Sequence, residues 1–261
     1  RDYARGNSQA YQTQSRDDSQ IISFVKETYK LFAASMMAGA VGAYIGVPMA
    51  GAIQSMIWPL FFLEIGLLIG LQFVKRKPGI NLAVMFAFVF MTGITISPLL
   101  SYTLGMNGGG TIVGNAFAMT SVVFGSLSFF AIKTKKDFTG YGKPLMIAML
   151  VIIGFSIVNI FLGNPLFQIA ISGGVVILFS IMVIYDTQNI MRGAYETPID
   201  GAIALYLDFL NIFTAFVISF IVLIPVEMNA CFFSLAIISN NFVWTNIADA
   251  TLLYFVLNFC I

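Results

Sequence analysis

Two aspartates interrupt apolar stretches in the second half of the chain. Asp186 lies in ILFSIMVIYDTQNI, residues 177–190, and Asp208 lies in AIALYLDFLNIF, residues 202–213. A carboxylate that leaves water is costly in free energy unless it is protonated, paired or bound to a cation. Two such carboxylates that lie close together have two low-energy states, in which they share a proton or bind a cation. The pair is therefore a candidate proton-sensing and ion-binding site.

The segments that must position these acids are long and apolar. The 261 residues are 59% hydrophobic and 10% charged, whereas a soluble domain is about half apolar and about a quarter charged. A helix needs about 20 apolar residues to cross a bilayer. The sequence therefore predicts an all-α integral membrane protein with seven transmembrane helices. The predicted spans are 31–50, 56–74, 80–104, 111–132, 144–162, 166–188 and 203–225.

The last two predicted spans place the aspartates at similar depth. They form an antiparallel hairpin with a loop of about fourteen residues between 188 and 203. Asp186 then lies within about one turn of the end of span six, and Asp208 lies about a turn and a half inside span seven. Adjacent faces of the two helices would bring the two carboxyl groups into contact.

A third acid and two basic residues lie on span two. Glu64 is near its middle, and an acid within a span is a functional candidate. Lys75 and Arg76 follow its end, roughly level with the aspartates. Either basic side chain could reach the pair and neutralise it, and arginine would bind a carboxylate through two parallel hydrogen bonds. The alternative is that these basic residues only fix the topology.

The positions of the basic residues predict the orientation. All 13 lysines and arginines precede span one or follow spans two, four and six. Because such residues collect on the cytosolic side, we expect a cytosolic N-terminus. Residues 1–30 are polar and are predicted to be a cytosolic tail, in which 21–30 forms a short interfacial helix. Within the spans, the spacings of Gly42 with Gly46 and of Gly66 with Gly70 indicate close helix packing.

Several kinds of chemistry are excluded or disfavoured. The chain has no histidine, which removes His-based metal sites, His-ligated haem and Ser-His catalysis. Cys231 and Cys260 have no CxxC spacing and indicate neither a redox motif nor a zinc site. Intramembrane proteases also use two aspartates, but their second one follows a GxGD pattern. The second site here reads LYLD, so we expect no enzyme, and we expect no nucleic-acid partner.

The residues around the aspartates resemble a known signature. A YDTQ element ends span six, and an Ala-x-x-LYLD-x-x-N element opens span seven. Its residues are Tyr185, Asp186, Thr187 and Gln188, then Ala202, Leu205, Tyr206, Leu207, Asp208 and Asn211. The pair of elements resembles the Bax inhibitor-1-like family, also called the transmembrane Bax inhibitor motif family. The resemblance covers about residues 20–225 and suggests a bacterial member.

The resemblance implies a fold and an activity. It implies a seven-helix membrane protein in which a central helix is surrounded by six others. Family members are described as pH-sensitive calcium leak channels. By motif, Asp186 and Asp208 would be the proton-sensing pair that binds calcium weakly, with Lys75 or Arg76 as a latch on one of them. By position, Glu64 would be a pore acid.

Further expectations follow for location and partners. We expect a multi-pass protein of the bacterial inner membrane whose partners are the lipid bilayer, calcium and protons. We expect no cofactor beyond transported calcium. The alternative function is modulation of a membrane-bound AAA protease, which would engage the polar residues 1–30. Residues 226–261 depart from the family pattern and are predicted to be an atypical C-terminal extension, in which 242–261 could form a re-entrant or eighth segment.

Overall fold

The structure is a computed structural model that describes residues 18–228, with side chains from 19 to 223. In this range seven helical segments are long and apolar enough to cross a membrane, which confirms the predicted fold class. The helices are α1 (Asp18–Gly46), α2 (Ala50–Ser55), α3 (Ile57–Val74), α4 (Ile80–Leu104), α5 (Gly109–Lys133), α6 (Gly142–Leu162), α7 (Pro165–Met191) and α8 (Pro198–Met228). The short helix α2 continues the first span after a single turn of 3-10 helix at Val47–Met49.

The first span begins earlier than the sequence predicts. Helix α1 starts at Asp18 and continues without interruption through residues 21–30, the predicted interfacial helix. Phe24 and Thr28 are buried one turn apart, whereas Lys26 and Glu27 are exposed. A window of apolar residues misses such a segment because charged side chains occupy its outer face. Part of the predicted tail, residues 18–30, therefore belongs to the helical bundle.

The last span also begins earlier, because a polar cap starts it. The backbone N–H and the hydroxyl of Thr197 both donate to Oδ2 of Asp200, each at 2.9 Å. The N–H of Asp200 donates back to Oγ1 of Thr197 at 3.4 Å. This is a reciprocal capping box, with Pro198 at the first helical position. Asp208 is consequently ten residues, or about three turns, inside α8.

A second motif ends α7. Gly193 adopts φ 64°, and its N–H donates to the carbonyl of Ile190 at 3.0 Å. The N–H of Ala194 donates to the carbonyl of Asn189 at 2.9 Å. These are the two bonds of a Schellman motif, whose left-handed position favours glycine. The connection between α7 and α8 is therefore residues 192–197, much shorter than the predicted loop.

The central helix that the family resemblance implies is α8. Within its apolar window 83% of the residues are buried, whereas α4, the next most buried span, reaches 50%. It packs chiefly against α1, α5 and α7, and to a smaller extent against α4. Helices α3 and α6 pack chiefly against α4 and α7 respectively. A helix that is buried on nearly all sides can hold an acid far from both water and lipid.

One of the two predicted glycine contacts forms. A Cβ on Gly42 would overlap the backbone of α4, and a Cβ on Gly46 would overlap a side chain of the same helix. Gly93 of α4 lies equally close to the backbone of α1. Gly66 and Gly70 face open space, so the packing prediction for that pair is wrong. Spacing alone does not show whether a small-residue face meets a helix or lipid.

Two predicted segments lie largely outside the described residues. Residues 1–17 of the predicted tail and residues 229–261 of the predicted C-terminal extension are in this group. The extension thus contributes only residues 226–228, the end of α8, to the described structure.

Candidate functional site

Helices α7 and α8 bring the two signature aspartates together. The carboxyl groups of Asp186 and Asp208 are neighbours that interact directly. Both side chains are buried, with exposed fractions of 3% and 0%. Two ionised carboxylates are acceptors only, so a hydrogen bond between the groups requires a proton on one of them. This is the arrangement in which sharing a proton or binding a cation lowers the free energy.

The two acids have unequal surroundings. Oδ1 of Asp186 accepts a hydrogen bond of 2.7 Å from the hydroxyl of Tyr195. Among the described residues, no N–H group and no Ser, Thr or Tyr hydroxyl donates a hydrogen bond to either carboxyl oxygen of Asp208. Its neighbour is the other acid. A buried carboxylate without a donor is unstable as a bare anion, so Asp208 is the member of the pair that most needs a proton or a cation.

A cavity of about 290 Å³ lies on one side of the pair. Asp186 is part of its wall, whereas Asp208 is not. The lining residues are Met182, Tyr185, Asp186, Asn189, Ala194, Tyr195 and Ala204. Asp208 is fully buried and is separated from this cavity by protein.

The α7–α8 loop, residues 192–197, supplies two side chains that contact different partners. The Schellman motif fixes its start and the capping box fixes its end, which leaves Tyr195 and Glu196 between two rigid turns. The half-buried Tyr195 contacts Asp186. Glu196 binds Nζ of Lys75 at 2.5 Å through Oε2 and Nε of Arg76 at 2.7 Å through Oε1.

The two candidate latch residues therefore lie at a different acid from the one expected. Lys75 and Arg76 both bind Glu196 instead of an aspartate. The reason is geometric, because the short α7–α8 loop places Glu196 between the end of α3 and the buried pair. The contact from span two reaches Asp186 only indirectly, through the peptide that joins Glu196 to Tyr195.

The protonation states of the loop residues follow from their surroundings. Burial raises the pKa of the Tyr195 phenol well above its ordinary value, and the nearby charge of Asp186 raises it further. The hydrogen bond from Lys75 lowers the pKa of Glu196, and that from Arg76 lowers it further. Near neutral pH, Tyr195 is thus a neutral donor and Glu196 is an anion.

A second loop closes against the same end of α7. Gln188 accepts a hydrogen bond from the N–H of Phe138 through Oε1 and donates to the carbonyl of Lys136 through Nε2, both at 2.8 Å. Nη1 of Arg192 donates to Oδ2 of Asp137 at 2.8 Å. The loops that carry the described basic residues thus meet at one end of the bundle, called the basic end below.

Glu64 belongs to a separate polar cluster. It is fully buried on α3 and accepts a hydrogen bond from the hydroxyl of Thr95 on α4. Its other oxygen, Oε2, has no hydrogen-bond partner among the described residues. Nearby, the hydroxyls of Thr92 and Tyr206 share a hydrogen bond of 2.7 Å between α4 and α8. Among the described hydrogen bonds, none joins Glu64 to the aspartate pair.

The ligand set suits a weak cation site better than a tight one. Across residues 18–228, no group of three or more Asp, Glu, Cys or His side chains is close enough to hold a metal ion together. Asp186 and Asp208 supply at most four oxygens, whereas calcium prefers about six to eight. Water or backbone carbonyls would have to complete the shell of a passing calcium ion.

The profile of a known family covers nearly all of the described chain. The family described as inhibitor of apoptosis-promoting Bax1 matches residues 22–223. The chain belongs to this Bax inhibitor-1-like family. The resemblance seen in the YDTQ and LYLD elements is thereby confirmed, and the protein is a multi-pass membrane protein of that family.

Bacterial relatives match over most of their length. An uncharacterized protein of Campylobacter jejuni is 48% identical over 217 residues, which cover 82% of this chain and 94% of that protein. An uncharacterized protein of Helicobacter pylori is 46% identical over 213 residues, covering 81% and 92%. An uncharacterized membrane protein of Vibrio cholerae is 30% identical over 196 residues, covering 73% and 85%.

In this Bax inhibitor-1-like protein, the residues that the motif analysis missed are Tyr195 and Glu196. They lie outside both motif elements and outside every apolar segment long enough to span a membrane. The signal that could have found them is the stretch RGAYETPID, residues 192–200. A glycine after one helix and a Thr-Pro-x-Asp cap before the next predict a short, rigid connection.

Proposed function

We propose that this protein is a passive calcium pathway whose opening depends on protonation of the Asp186–Asp208 pair. The observation that carries the proposal is the environment of Asp208, a fully buried acid that faces another carboxyl and has no other described donor. Such a group responds to protons and to cations, because either one removes its uncompensated charge. A purely structural acid would instead be expected to have donors around it.

The same geometry suits conduction. A site with few protein ligands holds calcium weakly, and conduction requires that an ion can leave as well as enter. The cavity at the basic end reaches Asp186, the first acid of the pair, and we propose it as the entrance for an ion. At low pH the carboxyls are neutral and attract calcium poorly. At higher pH they ionise and attract it, so we expect calcium flux to rise with pH. Glu64, buried on α3, is proposed as a further acid on the path.

We also propose that the basic end faces the cytosol of a bacterial inner membrane. The described lysines and arginines collect at that end, and basic loops remain on the cytosolic side. Asn107→Cys and Lys135→Cys lie in the connections at the two ends of α5 (Gly109–Lys133). A membrane-impermeant thiol reagent should reach Asn107→Cys from outside the cell and Lys135→Cys only after permeabilisation. The reverse pattern would refute this orientation.

Calcium flux into liposomes containing purified protein tests the function. We would measure it from about pH 5, just above the ordinary pKa values of carboxyl groups, to about pH 8, just above neutral pH. The variants are Asp186→Asn and Asp208→Asn. A lone carboxyl has no neighbouring charge to oppose its ionisation, so either variant should move the midpoint of the flux transition to lower pH.

A matched control separates the pair from a general loss of charge. Glu27 is an exposed acid on α1, and Glu27→Gln should leave the pH profile unchanged. A wild-type protein without calcium flux at any pH would refute the function. An unchanged pH profile in both aspartate variants would instead refute the role of the pair.

A further inference from the structure

Tyr195 lies against the aspartate pair. It lines the cavity and donates its hydroxyl to Oδ1 of Asp186. Asp208 has no surface in the cavity. While this hydrogen bond is made, the phenol occupies one carboxyl oxygen of Asp186 on the wall of the cavity. A cation that is to bind this oxygen from the cavity must therefore replace the phenol.

Glu196, the next residue in the loop, is held by two ion pairs. Both of its carboxylate oxygens are in ion pairs, one with Lys75 and one with Arg76. These two residues follow α3, a helix that packs chiefly against α4. The ion pairs thus link the end of a separate helix to the loop that carries Tyr195.

The link is both stiff and reversible. Glu196 and Tyr195 are consecutive residues of a short loop, so a displacement of Glu196 moves Tyr195 as well. The ion pairs are partly exposed, with side-chain exposures of 25% for Lys75, 84% for Arg76 and 38% for Glu196. Ion pairs in water-accessible positions are weak and are screened by salt. Such contacts can break and form again without unfolding the helices.

From this geometry we infer that the α7–α8 loop is a clamped cover, in which the Lys75–Glu196–Arg76 ion pairs hold Tyr195 over the aspartate pair. Release of the clamp frees the loop and opens the cavity towards Asp208. The end of α3 therefore controls access to the pair through Glu196. The inference rests on the proposed function only where ion flux is the readout.

Thiol labelling measures the cover directly. Ala204 lines the cavity on α8, one turn before Asp208, and is 4% exposed. Ala204→Cys would be placed in a background of Cys231→Ser and Cys260→Ser and labelled with a small cationic thiol reagent. Glu196→Gln should raise the labelling rate about two- to fivefold, the range expected for loss of weak ion pairs. The double variant Lys75→Gln with Arg76→Gln should have the same effect.

Three further measurements make the test specific. Lys77→Gln changes the neighbouring lysine, which has no described ion pair, and should leave labelling unchanged. Raising salt from about 0.05 M to about 1 M, where the screening length falls to about 3 Å, should speed labelling of the clamped protein but not of Glu196→Gln. Reversing the charges, with Glu196→Lys combined with Lys75→Glu and Arg76→Glu, should restore slow labelling.

The outcomes separate the clamp from the channel. The clamp would be overturned if the labelling rate were unchanged in Glu196→Gln, in the Lys75 and Arg76 double variant and at high salt. This conclusion would hold whether or not the protein passes calcium. Faster labelling in all three supports the clamp, even in a protein that passes no calcium. In that case the absence of flux would overturn the proposed function alone. If the protein conducts, Glu196→Gln should also raise calcium flux about two- to fivefold.

Discussion

The hydroxyl of Tyr195 donates a hydrogen bond of 2.7 Å to Oδ1 of Asp186. The donor comes from a loop and the acceptor from a transmembrane helix, so this bond joins the surface of the basic end to the buried acid pair. Because burial and the charge of Asp186 hold the pKa of Tyr195 well above its ordinary value, the phenol stays neutral near physiological pH. Tyr195 can influence the pH response without titrating itself.

Replacing Tyr195 with phenylalanine should therefore shift the pH response and not abolish it. The phenol stabilises the ionised form of Asp186 by donating to it. Tyr195→Phe removes that donor and keeps the ring, so ionisation of the pair requires a higher pH. We expect the midpoint of calcium flux to move to higher pH, opposite to the shift expected for Asp208→Asn. A midpoint that does not move would show that the bond has no influence on the pair.

The ion pair between Asp137 and Arg192 should not contribute to this pH response. Hydrogen bonds from Thr139 and then from Arg192 lower the pKa of Asp137 to about 2. A lowered pKa gives stability that is present above the unfolded value and is lost as the pH falls through the folded value. We expect Asp137→Asn to change the melting temperature equally at about pH 5 and about pH 8. The difference from wild type should shrink only below about pH 4.

Melting curves of the detergent-solubilised protein provide this measurement. Glu27→Gln, which removes an exposed acid from α1, is the control for loss of charge alone. A stability difference for Asp137→Asn that changes between pH 5 and pH 8 would mean that Asp137 titrates there, in conflict with its two donors.

The acid pair could be predicted from the sequence, but the loop that covers it could not. An aspartate in a long apolar window stands out, because membrane spans rarely contain charge. Tyr195 and Glu196 lie in a polar segment, where single residues carry no such signal. Their roles depend on the short length of the loop between α7 and α8. That length is set by the Schellman motif that ends α7 and the capping box that starts α8. Because the apolar window begins only near residue 203, the predicted loop is too long and the rigid connection is not apparent from the sequence.

The seven spans were predictable for a similar reason. Five of the predicted segments agree with helices α3 to α7 within about three residues, because length and apolar content decide a crossing. The start of α1 was missed, since burial of Phe24 and Thr28 depends on tertiary contacts. Thr28, for example, lies against Gly201 of α8, and no local pattern indicates a contact between such distant parts of the chain.

Gln188 of the YDTQ element should stabilise the basic end. Its side chain satisfies the N–H of Phe138 and the carbonyl of Lys136, and it is 6% exposed. Gln188→Leu leaves both backbone groups without this partner. The loss of folding stability is about 1–3 kcal/mol for each group that stays buried. We expect a lower melting temperature and faster tryptic cleavage after Lys133, Lys135 and Lys136.

Two variants define the specificity of this effect. Gln188→Glu keeps an acceptor for the N–H of Phe138 but loses the donor to Lys136, so its melting temperature should lie between wild type and Gln188→Leu. Gln72→Leu removes an exposed amide from α3 and should change neither quantity. Tryptic cleavage at the wild-type rate in Gln188→Leu would show that the loop is held by other contacts.

Gly93 should be essential for the crossing of α1 and α4, although it takes no part in the chemistry. A Cβ at this position would overlap the carbonyl oxygen of Gly39 on α1, and a backbone atom cannot move aside as a flexible side chain can. Overpacking of this kind costs about 1–3 kcal/mol, so Gly93→Ala should lower the melting temperature.

Gly66→Ala is the matched control, because that position faces open space within a helix. Alanine is a better helix former than glycine by about 1 kcal/mol, so Gly66→Ala should melt at or above the wild-type temperature. Equal effects of the two substitutions would mean that α1 and α4 are not in backbone contact at Gly93.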